Sequence, residues 1–64
     1  MNNITVYETK KNETQSAQLK LVVNHKNKTI EVGYYITHEK GLLVTSTVLN
    51  QIASDLLYAG YEEK

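Results

Sequence analysis

The chain of 64 residues has no cysteine, proline, tryptophan or phenylalanine, and every one of its basic residues is lysine. Without cysteine there is no disulfide framework and no thiolate to ligate a metal or attack a substrate. Without arginine it lacks the side chain that grips phosphate or a base edge bidentately, and lysine stands in only as a point charge. Neither sign of charge is in excess. Seven lysines balance seven acids, so no overall field favours nucleic acid or a membrane surface. No apolar run exceeds four residues, far short of the ~20 that a membrane helix needs. Met1-Asn2-Asn3-Ile4 shows no basic stretch ahead of an apolar one, so no signal peptide is expected and a cytoplasmic location is. Richness in Asn, Lys and Thr suits a small bacterial or phage gene.

What is present supports folding. The chain is 41% hydrophobic, and its length supports one small domain, residues 1–64. A domain of this size buries only ~60% of the surface its unfolded form exposes. That leaves one thin core and no room for a deep, enclosed active site. Charge is uneven along the chain: residues 1–30 hold five lysines and two acids, residues 31–64 two lysines and five acids.

Period-two alternation marks the strands. Ile4-Thr5-Val6-Tyr7-Glu8 predicts a first strand over about 3–9. Ala17, Leu19, Leu21 and Val23 predict a second over about 16–24, and Ile30, Val32, Tyr34 and Ile36 a third over about 29–37. Between the latter two, Asn24-His25-Lys26-Asn27-Lys28-Thr29 is a turn, with Asn suited to left-handed backbone. Pairing Asn24 with Thr29 sets Val23 against Ile30, Leu21 against Val32, Leu19 against Tyr34 and Ala17 against Ile36. A slip of one residue would destroy every one of these apolar matches. His38-Glu39-Lys40-Gly41 predicts a second turn into a short fourth strand, about 42–45. Pairing Thr37 with Leu42 places Leu43 on the core side and Val44 beside Tyr35 on the other.

From Ser46 or Thr47 as N-cap, a helix is expected over about 47–59. Val48, Leu49, Ile52, Ala53, Leu56 and Ala59 fall within an arc of roughly 140° at 100° per residue. Gly60 fits the left-handed stop, with Tyr61 placed for a Schellman ending, and residues 61–64 read as a frayed tail. The expected fold is α+β: an antiparallel meander of three or four strands packed on one C-terminal helix (ββββα), in two layers.

Chemistry finds little support. His25 and His38 lie at opposite ends of the third strand, more than roughly 20 Å apart. The carboxylates are scattered, and only Glu62-Glu63 adjoin. Ser16, Ser46 and Ser54 have no histidine at a suggestive spacing. Lys40-Gly41 leads into a strand, not a helix, and lacks the glycines of a phosphate loop. No catalytic, metal or cofactor residues are assigned, and no small-molecule substrate is expected.

One helix covers one face of a sheet, so the other face carries the functional expectation. Parity places Lys20, Val22, Glu31, Gly33 and Tyr35 there. Leu42 and Val44 join them if the fourth strand forms, and Tyr7 if Ile4 and Val6 point inward. Tyrosine among scattered aliphatics is the composition of many interface cores. The expectation is a non-enzymatic interaction module (a regulator, inhibitor or assembly accessory) that forms a homodimer or meets a protein partner through this face. The alternative is a single-stranded nucleic-acid binder using Lys20, Lys26, Lys28 and Tyr35, with tyrosine stacking on bases. Zero net charge and the absence of arginine weigh against it.

Overall fold

The computed structural model describes residues 3–11 and 17–64. The strands β1 (Ile4–Thr9), β2 (Leu19–Asn24), β3 (Thr29–Tyr34) and β4 (Leu42–Val44) precede the helix α1 (Ser46–Tyr58), which is followed by β5 (Glu62–Glu63). The result is a small α+β fold with one helix and a five-stranded mixed sheet in the order β4-β1-β2-β3-β5. The start of the second predicted strand, Ser16, lies outside the described residues.

The β2–β3 hairpin has the register that apolar parity requires: Asn24 opposite Thr29, Val23 opposite Ile30, Leu21 opposite Val32 and Leu19 opposite Tyr34. Asn24 Oδ1 accepts from the Asn27 amide at 3.0 Å, while Lys28, not an asparagine, takes the left-handed position with φ 54°. Leu21, Val23 and Ile30 are fully buried with Leu49 of α1, and Ala53 of α1 is buried beside them; Tyr7, Leu19, Val32, Val44, Ile52, Leu56 and Tyr61 pack around this cluster.

The N-cap of α1 is Thr45, one residue earlier than expected, and its Oγ1 accepts from the Val48 amide at 3.2 Å. At the other end Gly60 has φ 107°. Its amide donates to Leu57 O at 3.1 Å and the Tyr61 amide to Leu56 O at 3.0 Å, the paired bonds of a Schellman ending.

Three sequence expectations need correction. First, β1 is turned over. Thr5 lies opposite Val23 and Tyr7 opposite Leu21, so Thr5 and Tyr7 face the helix while Ile4, Val6 and Glu8 face away. The strand has apolar residues on both faces, and alternation alone cannot choose between them.

Second, the sheet is not a meander. β4 pairs in parallel with β1, Tyr7 with Leu42, Glu8 with Leu43 and Thr9 with Val44. The third strand stops at Tyr34 rather than residue 37, because Tyr35 adopts φ 60° and turns the chain off the ladder. Residues 36–41 then cross the helix-free face from the β3 side to the far edge. This reverses the predicted faces of β4: Leu42 and Val44 share the helix side with Tyr7 and Thr9, and Leu43 lies on the other.

Third, residues 61–64 do not end as a frayed tail. Glu62 and Glu63 pair in parallel with Thr29 and Ile30. The Glu62 amide donates to Lys28 O at 2.9 Å and the Lys64 amide to Ile30 O at 2.7 Å. The left-handed turn at Gly60 sends the chain along the free edge of β3.

The crossing is close. A Cβ on Gly33 would lie 3.2 Å from Ile36 Cγ2, and one on Gly41 would strike the Val6 carbonyl and side chain. Gly33 and Gly41 therefore let the crossover lie against the sheet. Gly41→Ala is expected to destabilise the fold by about 1–3 kcal/mol in urea unfolding, since overpacking a close contact costs on that order. Tyr35→Gly is expected to act oppositely, raising stability by about 0.5–1 kcal/mol in the same assay. It relieves a left-handed non-glycine worth ~1–2 kcal/mol and gives back part of that in chain entropy.

Candidate functional site

The helix-free face is organised by two ionisable side chains that strand pairing sets side by side, Glu8 and Lys20. They retain only 5% and 8% of their exposure. Lys20 Nζ donates to the Thr37 carbonyl at 3.2 Å and the Glu39 carbonyl at 2.7 Å. Glu8 Oε1 accepts from the Gly41 amide at 2.5 Å. The Glu39 amide donates to Thr37 Oγ1 at 3.1 Å, stiffening the crossing. Buried charge is tolerated only when hydrogen-bonded, and here the partners are the backbone of residues 37–41. The crossover is thereby strapped to β1 and β2. Val6 lies buried on this face although no helix covers it.

Beyond the strap the same face is open. Ile4, Val22, Asn24, Thr29, Glu31 and Lys64 line a shallow depression of about 210 Å³. Lys64 Nζ lies 3.9 Å from Glu31 Oε1, an exposed pair of little energetic weight. A second depression, about 220 Å³, lies near the start of the crossover between Lys11, Gln18, Lys20, Tyr35 and His38. Its one deeply buried polar group, Lys20 Nζ, is already held by two carbonyls.

The residues singled out from the sequence do not assemble into one patch. Tyr7 and Val44 pack against the core on the helix side, Lys20 is committed to the strap, and Gly33 is faced by Ile36. Val22 and Glu31 remain half-exposed on the open part of the face. Tyr35 is 72% exposed at the start of the crossover. Lys26 and Lys28 are exposed in the β2–β3 turn, at the opposite end of β3 from Tyr35. Six strand residues, ~20 Å, separate them, so the four nucleic-acid candidates share no groove.

The most exposed large aliphatic side chains among the described residues are Leu42 and Leu43, at 65% and 66%. Both lie in β4, which among the described residues is an edge strand paired only with β1. Leu43 escapes sequence reasoning because the expected hairpin points it inward; its one signal is the uncharged run Leu42-Leu43-Val44, atypical of a solvent-facing edge. The opposite edge, β5, consists of two glutamates.

His25 is the other residue with an unforeseen role. One ring nitrogen lies 2.8 Å from Thr5 Oγ1 and the other 3.0 Å from Tyr61 Oη. The Tyr61 ring meets it edge-on at 6.0 Å. The imidazole thus ties β1 to the segment leading into β5. Among the described residues no group of three or more His, Asp or Glu is placed to hold a metal ion, and no helix is long and apolar enough to cross a membrane.

No family model, curated protein or solved structure matches the chain.

Lys20→Met keeps the stem of the side chain and removes its donors. It is expected to cost about 1–3 kcal/mol in urea unfolding, the range for losing bonds to a buried charged group. The β4 amides should exchange faster than those of β2 and β3. Uniform acceleration across the sheet would show that the strap does not hold β4 separately.

Proposed function

We propose that the chain is a small non-enzymatic interaction module, a regulator, inhibitor or assembly accessory that acts through protein contact, with a second copy of itself or with a protein partner. We place it in the cytoplasm of a bacterial or phage-infected cell, in keeping with its cysteine-free composition. Its contact surface in this reading is the β4 flank of the sheet, with Leu42 and Leu43 as anchors, in place of the flat sheet face. The observation that carries this is the pair of leucines, each about two-thirds exposed, on an edge strand whose outer backbone has no strand partner among the described residues. Natural sheet edges are blunted by charge, proline or a covering element. This one has none of these within the strand, and apolar side chains beside free N–H and C=O groups are what strand addition uses.

The test compares two baits of the full chain, wild type and Leu43→Lys, in native extract. Leu43 is exposed enough for lysine to be carried without unfolding, which circular dichroism checks. Proteins retained by wild type and lost by Leu43→Lys, untagged copies of the chain itself included, are expected; identical retained sets would overturn the reading. Anisotropy of a labelled oligothymidine at low salt supplies the second arm. No saturable binding is expected, and binding that weakens steeply with salt would instead favour nucleic acid.

A further inference from the structure

We infer that the β4 edge pairs with the β4 edge of a second copy, giving a two-fold dimer with one continuous antiparallel junction between two sheets. The inference rests on the reading of β4 as the contact surface and names its occupant.

The two edges of the sheet differ in what they allow. At β5 the strand is Glu62-Glu63, and a two-fold axis through either residue sets that acid directly against its own copy, which is destabilising. At β4 the outer strand is Leu42-Leu43-Val44, with no charge to repel its own copy. The chain as a whole is also neutral, seven lysines against seven acids, so no long-range repulsion keeps copies apart.

Symmetry then fixes the register. An antiparallel junction related by a two-fold axis normal to the sheet keeps both helices on one side, so residues of the same face must meet. With Leu43 on the axis, Leu42 lies opposite the Val44 of the second copy on the helix side. Leu43 lies opposite its own equivalent on the other side. All three residues of β4 then face apolar partners. Moving the axis to Leu42 sets Leu43 against Gly41 and Val44 against Lys40, and moving it to Val44 runs the pairing into α1. One register out of three satisfies the strand.

A second copy also suits this edge better than a foreign flexible strand. Three residues offer few backbone bonds, and a disordered peptide must lose its conformational freedom to make them. The β4 of a copy is already held extended by β1 and loses little. The junction is small, well below the ~1,600 Å² of a standard interface, so the dimer is expected to be weak and concentration-dependent.

The cysteine-free chain permits a direct test. In the inferred register Leu43 faces its equivalent across the axis, within the Cα separation that a disulfide spans. Leu43→Cys under mild oxidation is expected to form a covalent dimer at least about tenfold faster than Tyr58→Cys, whose side chain is 96% exposed but lies away from the edge. Equal rates overturn the inference. In parallel, sedimentation equilibrium of the unmodified chain from about 10 µM to about 1 mM should show growing dimer, weakened at least about tenfold by Leu43→Lys. A wild type that stays monomeric to the top of that range overturns the second-copy inference. If Leu43→Lys still abolishes capture of another protein, the β4 flank stands as a contact surface with a different occupant.

Discussion

The fold depends on the bonds that Glu8 and Lys20 make to the crossover. Two ionisable side chains sit almost fully buried on adjacent strands, which would be strongly unfavourable without hydrogen-bond partners. Those partners are three backbone groups of residues 37–41, the carbonyls of Thr37 and Glu39 and the amide of Gly41. The dependence runs both ways. The strap satisfies the charges, and the charges hold an otherwise irregular segment against a flat sheet. Once the strap is in place, β4 can lie only beyond β1, and α1 starts from that edge with Thr45 as its cap. The helix then runs back over the face bearing Leu21, Val23 and Ile30.

How much of this was legible in the sequence follows from where the determining contacts lie. The β2–β3 register was readable because Leu19, Leu21, Val23, Ile30 and Val32 alternate cleanly and a slip would expose them all. The helix and its ending were readable because Leu49, Ile52, Ala53 and Leu56 keep helical spacing and Gly60 marks the left-handed stop. β1 was not, because Ile4-Thr5-Val6-Tyr7 is apolar on both faces and both faces turn out to be covered. The topology of β4 was hidden for a different reason. Its turn point, Tyr35 at φ 60°, is a residue type that does not advertise left-handed backbone. The contacts that route the chain join Lys20 to residues 17 and 19 positions away. Gly41 was read as a turn residue, when its lack of a side chain serves close approach to Val6.

The candidate surface was legible only in kind. An excess of apolar side chains over what one helix can cover was visible in the sequence, and it does reach the surface. It emerges chiefly at an edge, because the chain lays its own crossover over part of the second face. Tyr7 fell on the covered side when β1 proved turned over, and Val44 through the reversal of β4 that also exposed Leu43. The nucleic-acid alternative lost its central residue when Lys20 became structural, and Lys26 and Lys28 sit at the far end of β3 from Tyr35.

With a helix over one face of the sheet and the crossover over part of the other, the most exposed aliphatic surface is at an edge, and edges are read through backbone as well as side chains. In this chain the two differ in charge and in apolar character. The β5 edge is acidic and tied back by the His25–Tyr61 contact and the Lys64 amide bond to Ile30. The β4 edge is uncharged, apolar and held straight by β1. That asymmetry also bounds assembly. Had both edges been apolar, each molecule could have added to the next without closure, the head-to-tail arrangement that builds fibres. With glutamates at one edge, β4 is the edge among the described residues that meets no like charge from its own copy, and the inferred two-fold pairing would use it up.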